Sequence, residues 1–358
     1  MKKFFVFALT FMACAINLFA QECTEVPIDI AGTASVTLTR FEQKIIPGVF
    51  TVAAGKHVLF SQGNLQYNAV LRSHACGDGS TQPGTWRFAQ NQWERMGANN
   101  RSVASDYDGW IDLFGWGTSG YDRAGVAADQ PWDSSDDGSN YGTESALTEY
   151  SDWAQYNTII NGGINGAPAP GVWSVLTLAE WQYLFSKRAN AANLICFGTL
   201  VNIPGIFLLP DNWTSSIEVT IKTESGTTET HPVSYFMSDA GFSWTPYVEG
   251  DYTTSAMQTN VIARSTDASK DLWTALEASG VVFLPAAFQR SGSGGGSLTG
   301  QYNGFYWTAT ARSGTMYARR IYFKVGTDTE DATATLYYET QSTDRSLGLS
   351  VRPVYRLD

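Results

Sequence analysis

The sequence contains few of the residues that bind metals or act as nucleophiles. Its 358 residues include four cysteines and three histidines, and no two cysteines form a Cys-x-x-Cys pair. The histidines are far apart and match no zinc-ligand spacing, so each is expected to be a surface or hydrogen-bonded residue. No Gly-x-Ser-x-Gly motif occurs. These absences exclude the common zinc motifs and the nucleophile elbow of α/β-hydrolases.

Positive charge is also scarce. The chain has 23 Lys and Arg against 34 Asp and Glu, a formal charge of −11 that becomes −13 without Lys2 and Lys3. Binding to nucleic-acid phosphates requires a basic surface, so no nucleic-acid partner is expected. Beyond the first 20 residues, no uninterrupted apolar run is long enough to span a bilayer, and no transmembrane segment is predicted.

The N-terminus has the layout of a secretory signal. Residues 1–20, MKKFFVFALTFMACAINLFA, combine two lysines, an apolar run and a small residue before Gln21. We therefore predict export to the periplasm, the outer-membrane surface or the extracellular space. A lipoprotein anchored through Cys14 is the alternative, although the apolar run continues past it. An odd number of cysteines would remain and allow at most one internal disulfide, with no pairing predicted among Cys23, Cys76 and Cys196.

The segment 171–188, GVWSVLTLAEWQYLFSKR, contains the signals of a helix start. Thr177 and Glu180 have the spacing of a capping box, and Leu176 and Trp181 that of a hydrophobic staple. Apolar residues recur on one helical face, and two cations close the last turn. These signals predict a framework helix over about 178–188.

The rest of the chain indicates short strands and long loops. Hairpins are predicted with turns at 54–56 and 202–205, a second helix at 270–278 capped by Ser269, and strands in VVFLPAAF, FYWTAT, ARRIYFKV and LGLSVRPVYRL. Loops rich in Gly, Asn and Asp are expected to be held by buried Trp and Tyr. The predicted class is α+β with two short helices, small antiparallel sheets and long Trp/Gly-rich loops.

The predicted domain organisation is simple. The signal segment 1–20 precedes a tether or edge strand at 21–45, followed by a single domain over 46–358. A hydrophilic stretch near 214–262 is interpreted as a polar insertion within that domain. The Gly/Ser-rich segment 291–300 is interpreted as a loop.

One segment fits a metal-binding pattern. DSSDDGSNYGTE, residues 133–144, has the spacing of an EF-hand loop, with oxygen ligands expected from Asp133, Ser135, Asp137 and Glu144. Asn140 occupies a position that is normally apolar, and no amphipathic helix precedes the loop. A solvated Asp/Ser-rich loop is the default interpretation, calcium is the alternative, and no other cofactor is expected.

Several blocks of the sequence resemble a known superfamily. WSVLTLAEWQYLFSKR is similar to a segment of formylglycine-generating and sulfatase-modifying proteins, and LGLSVRPV is similar to their closing strand. FSQGNLQY, WRFAQNQW, GWIDLFGWGTSGY, LLPDNW, VFLPAAFQR and YWTAT resemble recurrent blocks of secreted Bacteroidetes proteins of the Fibrobacter succinogenes major paralogous type. The resemblance covers about 48–358 and implies a C-type-lectin-like fold. It implies little about activity, since the late cysteine pair of the enzymes and the sugar-binding triplets of the lectins are both missing.

The variable proteins of diversity-generating retroelements share this scaffold, and residues 306–354 have a similar outline. That resemblance implies a binding face on the C-terminal strands and loops, since Tyr and Arg are favoured at recognition surfaces. The candidate ligand-binding residues are Tyr302, Tyr306, Arg312, Met316, Tyr317, Arg319, Tyr337, Tyr338 and Arg345. Ordinary strand and loop residues of a fixed domain are the competing interpretation.

Three functions follow in order of preference. The first is an exported, non-enzymatic recognition protein that binds a protein or glycan at the cell surface. The second is a structural or adhesion component of the envelope. The third is an enzyme related to formylglycine-generating proteins with replaced catalytic residues.

Overall fold

The computed structural model describes residues 45–71, 84–121, 130–164, 167–223, 225–247, 260–292, 302–325, 334–338 and 341–357, together with the backbone of 23–30 and 34–41. The predicted signal segment, Cys14, Cys76 and residues 293–300 lie outside the described residues. Within the described ranges the chain is α+β, with four helices and six small sheets.

The α-helices are short and separated by long stretches of chain. They are α1 (Trp153–Tyr156), α2 (Leu178–Ser186), α3 (Val233–Asp239) and α4 (Asp267–Ala278). Single 3-10 turns occur at Gly97–Arg101, Gly138–Tyr141 and Ala191–Leu194. The expectation of two helices was too low, because α1 is a single turn within a loop and α3 lies in the stretch interpreted as a polar insertion.

Helix α2 begins as predicted. The Thr177 hydroxyl accepts from the Glu180 amide at 3.2 Å, and the Glu180 carboxylate accepts from the Thr177 amide at 2.8 Å, which confirms the capping box. Leu176 and Trp181 are both buried in one apolar cluster, as a staple requires.

The end of α2 lies earlier than predicted. The helix stops at Ser186, and Arg188 is buried instead of facing solvent. Its guanidinium donates to the carbonyls of Leu184 and Leu209 and to the Asp211 carboxylate at 2.8 to 3.0 Å. Arg188 thus satisfies one of the free carbonyls at the helix end.

Helix α4 starts three residues before the predicted position. Its N-cap is Thr266, whose hydroxyl accepts from the Ser269 amide, so Ser269 is the third helical residue and not the cap. The preceding insertion is not a plain polar loop. Its strand Glu218–Lys222 and helix α3 bury Val219, Ile221 and Phe236 in one apolar cluster with α4.

The strands are mostly three to nine residues long. They are β1 (Cys23–Ile30), β2 (Ala34–Phe41), β3 (Phe50–Ala53), β4 (Lys56–Phe60), β5 (Leu65–Asn68), β6 (Thr85–Phe88), β7 (Ile195–Leu200), β8 (Ile203–Leu208), β9 (Glu218–Lys222), β10 (Thr228–Pro232), β11 (Val261–Ile262), β12 (Val282–Pro285), β13 (Asn303–Ala311), β14 (Tyr317–Lys324), β15 (Thr335–Tyr337), β16 (Ser342–Asp344) and β17 (Val354–Arg356).

The strands form separate small sheets. Pairs β1-β2, β5-β6 and β9-β10 are two-stranded, β3, β4 and β17 form a three-stranded sheet, and two larger sheets have the orders β11-β7-β8-β12 and β13-β14-β15, with β16 also paired to β14. All pairs are antiparallel as predicted, except β11 with β7. The β7-β8 turn lies at Val201 and Asn202, both with positive φ, and so precedes its predicted position.

Three large apolar clusters and a small one at Leu113 and Ala287 form the core of the described residues. One lies between α2, the β3-β4-β17 sheet and the inner faces of β13 and β14. A second collects the tryptophans of the long loops, and a third joins α3 and α4 to β7 and β8. The core therefore connects elements that are distant in sequence, which orients the C-terminal sheet.

Buried indole groups hold the long loops, as predicted. Trp116 donates from Nε1 to the Thr308 carbonyl at 2.9 Å, and Trp307 donates to the Phe114 carbonyl at 2.7 Å. Because a buried carbonyl without a partner is costly, each indole fixes a loop and a strand at once.

Two carboxylates are fully buried in these loops. Asp112 accepts from the Asn100 side chain at 2.8 Å and from the Met96 amide at 2.9 Å. Burial raises the pKa of Asp112 to about 6, against the opposing effects of these hydrogen bonds and the charge of Arg95. Burial likewise raises the pKa of Asp152 to about 6, although it caps α1.

A raised carboxyl pKa makes stability depend on pH in a defined direction. Between pH values of about 4 and 6 the folded state holds a proton that the unfolded chain has lost, so stability falls as pH rises through this window. The wild type should therefore gain stability when the pH is lowered from about 7.5 to about 5, and Asp112→Asn should reduce this gain by about 1 kcal/mol. Urea unfolding at both pH values measures this. Asp106→Asn, at an exposed position, is the control, and an unchanged pH dependence in Asp112→Asn would contradict the assignment.

Candidate functional site

An aromatic ladder crosses the outer face of the C-terminal sheet. It consists of Phe305 on β13, Tyr322 on β14 and Tyr337 on β15, which are direct cross-strand neighbours in register. The ring centroids of Phe305 and Tyr322 are 4.6 Å apart at an interplanar angle of 9°, and those of Tyr322 and Tyr337 are 5.2 Å apart at 5°. Cross-strand aromatic pairs of this kind stabilise a sheet and order the rings.

Exposure increases along the ladder toward the edge of the sheet. Phe305 is 7% exposed, Tyr322 is half-buried, and Tyr337 is 42% exposed. Burial raises the pKa of Tyr322, and its hydroxyl donates to the Asn303 side chain at 3.2 Å. The ladder therefore runs from a core residue to one exposed tyrosine at the edge of the sheet.

A cation lies on the ladder. The guanidinium of Arg320 is 4.5 Å from the Phe305 ring centroid and 5.8 Å from that of Tyr322. Its Nη1 donates to the Gln289 side chain at 3.1 Å, and its buried Nε has no hydrogen-bond partner. Desolvation lowers the pKa of Arg320 below its usual range. Within the described ranges no carboxylate pairs with Arg320, so its charge is balanced only by ring faces and an amide.

The structure separates the predicted binding residues into groups. Tyr302, exposed at the start of β13, and Tyr337 lie at the ladder end of the sheet. Arg312, Met316 and Tyr317 are exposed at the opposite end, in the β13-β14 turn, where the Arg312 guanidinium is 6.0 Å from the Tyr317 ring.

Other predicted residues do not form part of an exposed face. Tyr306 and Arg345 were expected on the surface and are fully buried. The Tyr306 hydroxyl donates to the Pro285 carbonyl at 2.9 Å, because alternation along β13 turns this ring into the core. Tyr338 packs its ring against Phe185, and Arg319 is half-buried on β14.

The loop 133–144 uses its side chains to bond itself. The Asp133 carboxylate accepts from the Ser135 amide at 2.8 Å and from the Tyr141 hydroxyl at 2.6 Å. Asp137 caps the turn at Gly138–Tyr141, accepting from the Ser139 amide, and the Ser139 contacts lower its pKa. In the described part of the chain no group of three His, Cys, Asp or Glu residues could hold a metal. Calcium at Asp133, Ser135, Asp137 and Glu144 stays a prediction.

Two buried arginines supply positive charge to this acidic loop. Arg290 donates to the carbonyls of Gly292 at 3.0 Å and Asp133 at 3.2 Å. Arg345 donates to the carbonyls of Tyr141 and Glu144, pairs with the Glu144 carboxylate at 3.5 Å, and lies 4.4 Å from the Trp116 ring centroid. Two guanidinium groups thus bond the backbone of this loop.

Sequence reasoning missed two ladder residues, Phe305 and Tyr322, and the adjacent cation Arg320. The alternation of Arg320, Tyr322 and Lys324 with buried Ile321 and Phe323 marks one outer face of β14. The pairing register, which brings Phe305 and Tyr337 beside Tyr322, cannot be read from that alternation.

Comparison with known proteins identifies no relative. No protein-family model matches the sequence, and no curated protein or solved structure is significantly similar to the chain. The family therefore stays a prediction. Among the described residues, no helix is both long and apolar enough to cross a membrane.

Replacing Arg345 tests whether a guanidinium, not a metal, organises the 133–144 loop. Arg345→Met leaves buried carbonyls without donors, so we expect a loss of about 3 kcal/mol of unfolding free energy. Arg312→Met, at an exposed position, should change stability little. Calcium or EDTA should leave the wild-type Tm unchanged. A large Tm increase with calcium, together with a stable Arg345→Met, would contradict this account.

Proposed function

We propose that the protein is an exported, non-enzymatic recognition protein that binds a protein partner at the cell surface through its C-terminal sheet. The aromatic ladder, with Arg320 on it and Tyr337 at its exposed end, is the observation that carries the proposal. It offers an exposed tyrosine held in a rigid aromatic stack, beside a cation with no carboxylate partner among the residues that the structure describes. Tyr and Arg in this arrangement are the side chains most often found at binding hot spots.

The chemistry of a peptide suits this surface. Tyrosine edges provide apolar contact with a hydroxyl at the rim, and Arg320 can donate to a carboxylate or a backbone carbonyl. The exposed rings rest on an ordered sheet, so binding would cost little side-chain ordering.

Further parts of the proposal rest on the sequence. The first 20 residues support export, and the acidic composition argues against nucleic acid as the partner. The blocks shared with secreted Bacteroidetes proteins support a C-type-lectin-like fold. Cys196 is buried and free, and burial raises the pKa of its thiol, which disfavours a nucleophilic role.

Substitution of Tyr337 tests the proposal directly. A random peptide library displayed on phage is selected on the immobilised chain, and the enriched peptides are titrated against variants. Loss of an exposed hot-spot tyrosine costs about 2 kcal/mol or more, so Tyr337→Ala should weaken binding at least about tenfold with no change in Tm.

The matched control is Tyr235→Ala, at a similarly exposed tyrosine on α3. It should leave peptide binding unchanged. Failure to enrich any peptide, or equal losses in the two variants, would argue against a binding face on the C-terminal sheet.

The exposed residues of the C-terminal sheet can accommodate sequence variation between copies of the protein. If the chain is a variable protein of a diversity-generating retroelement, sequence variation can fall at exposed Arg312, Met316, Tyr317 and Tyr337, while buried Tyr306 and Arg345 must stay constant. Sequencing residues 300–358 and the flanking DNA across a natural population measures this. Variation at adenine-containing codons of the exposed positions, beside a template repeat, is the expected result. A uniform region without the repeat would show a fixed face.

A further inference from the structure

A surface concavity lies within the insertion. Its lining residues fall between positions 213 and 244, and none of them belongs to the aromatic ladder. It has a volume of ≈ 510 Å³ and is lined by four aromatic or apolar side chains and four serines, with no charged residue among them. We call it the serine-tryptophan groove. The lining is uncharged although the chain has a formal charge of −11.

The floor of the groove is aromatic. The ring centroids of Trp213 and Trp244 are 5.8 Å apart, and Phe242 is also 5.8 Å from Trp244. Trp244 is anchored on Phe207 of β8 at 5.5 Å, and Met237 from α3 completes the floor. All four floor residues are half-buried. Their side chains pack on the protein on one side and stay accessible to solvent on the other.

The rim of the groove consists of hydroxyl groups. Ser215, Ser234, Ser238 and Ser243 are all exposed. Ser234 and Ser238 are one turn apart on α3, and the Ser234 amide bonds the Ser215 carbonyl at 2.7 Å, which joins two sides of the rim. In the described part of the chain none of these hydroxyls bonds to protein, and the buried Nε1 of Trp244 has no partner either.

This combination selects one class of ligand. A neutral sugar ring has an apolar C–H face that packs on an indole and hydroxyls around its edge that can bond to serines. An aliphatic ligand would leave the serine hydroxyls unused. An anionic ligand would find no cation in the lining. We propose that the serine-tryptophan groove binds neutral hexose units of an oligosaccharide without a metal ion.

The proposal does not depend on the recognition of a protein by the aromatic ladder. The two surfaces lie on different elements, so each can be removed by substitution without the other. A protein with both sites would engage a protein and a glycan at once.

Titration with defined sugars tests the groove. Maltotetraose, cellotetraose, mannotetraose and chitotetraose are titrated into the full chain, with tryptophan fluorescence and calorimetry as readouts. At least one should bind, and its affinity should be the same in EDTA. The double variant Ser234→Ala/Ser238→Ala should lower the affinity for that sugar at least about tenfold, and alanine at these positions favours the helical state of α3. Trp213→Ala should lower the affinity by a similar factor.

The controls separate this proposal from the previous one. Ser216→Ala/Ser225→Ala changes two exposed serines of the same insertion outside the groove and should leave the affinity unchanged. Tyr337→Ala should also leave it unchanged. No binding by any of the four sugars, or equal affinity in wild type and both groove variants, would overturn the proposal. A loss of sugar affinity in Tyr337→Ala would overturn it as well, since the sugar would then bind at the ladder.

Discussion

Buried guanidinium groups are the constraint on which this structure depends. Arg290, Arg345 and Arg352 are at most 1% exposed, and each donates to backbone carbonyls of segments that lack regular structure. Long loops have few strand or helix partners for these carbonyls, and burying them unpaired would be costly. Arg352 also bonds the Gln92 side chain at 2.8 Å, and burial lowers its pKa to about 10, so it remains charged at neutral pH. An excess of acidic residues favours retaining these cations in the interior.

This arrangement explains how an irregular chain can present ordered surfaces. The arginines and the buried indoles tie loops to β12, β13 and the closing segment of the chain, so the C-terminal sheet has a fixed support. Its outer face is then available for the ladder, and the insertion packs on α4 to hold the groove. The two surfaces differ in chemistry. The ladder combines aromatic edges with a charged arginine, whereas the groove combines indole faces with uncharged hydroxyls.

The sequence predicted local structure better than tertiary placement. The capping box at Thr177 was correct, because both partners lie within three residues. The mixed class, the two predicted hairpins and the loops held by tryptophan were also correct. Helix α3 was missed, since its seven residues include valine, tyrosine and phenylalanine, which are only moderate helix formers.

The placement of individual side chains needed the fold. Tyr306 and Tyr337 are both strand tyrosines, and only the pairing of β13, β14 and β15 determines that one is buried and the other exposed. The acidic spacing at 133–144 matched a calcium loop, but it gave no sign that Asp133 and Asp137 bond groups of their own loop. The arginines that bond the loop backbone come from positions 290 and 345, which no local motif connects to the loop.

A saturation mutagenesis scan of residues 284–357, with protease resistance as the readout of folding, tests most directly whether the buried arginines support the fold while the exposed residues do not. Substitutions of Arg290, Arg345 and Arg352 should abolish resistance, while those at Arg312, Met316, Tyr317 and Tyr337 should be tolerated. Tolerance of nonpolar residues at the three buried arginines, with intolerance at the exposed tyrosines, would contradict it.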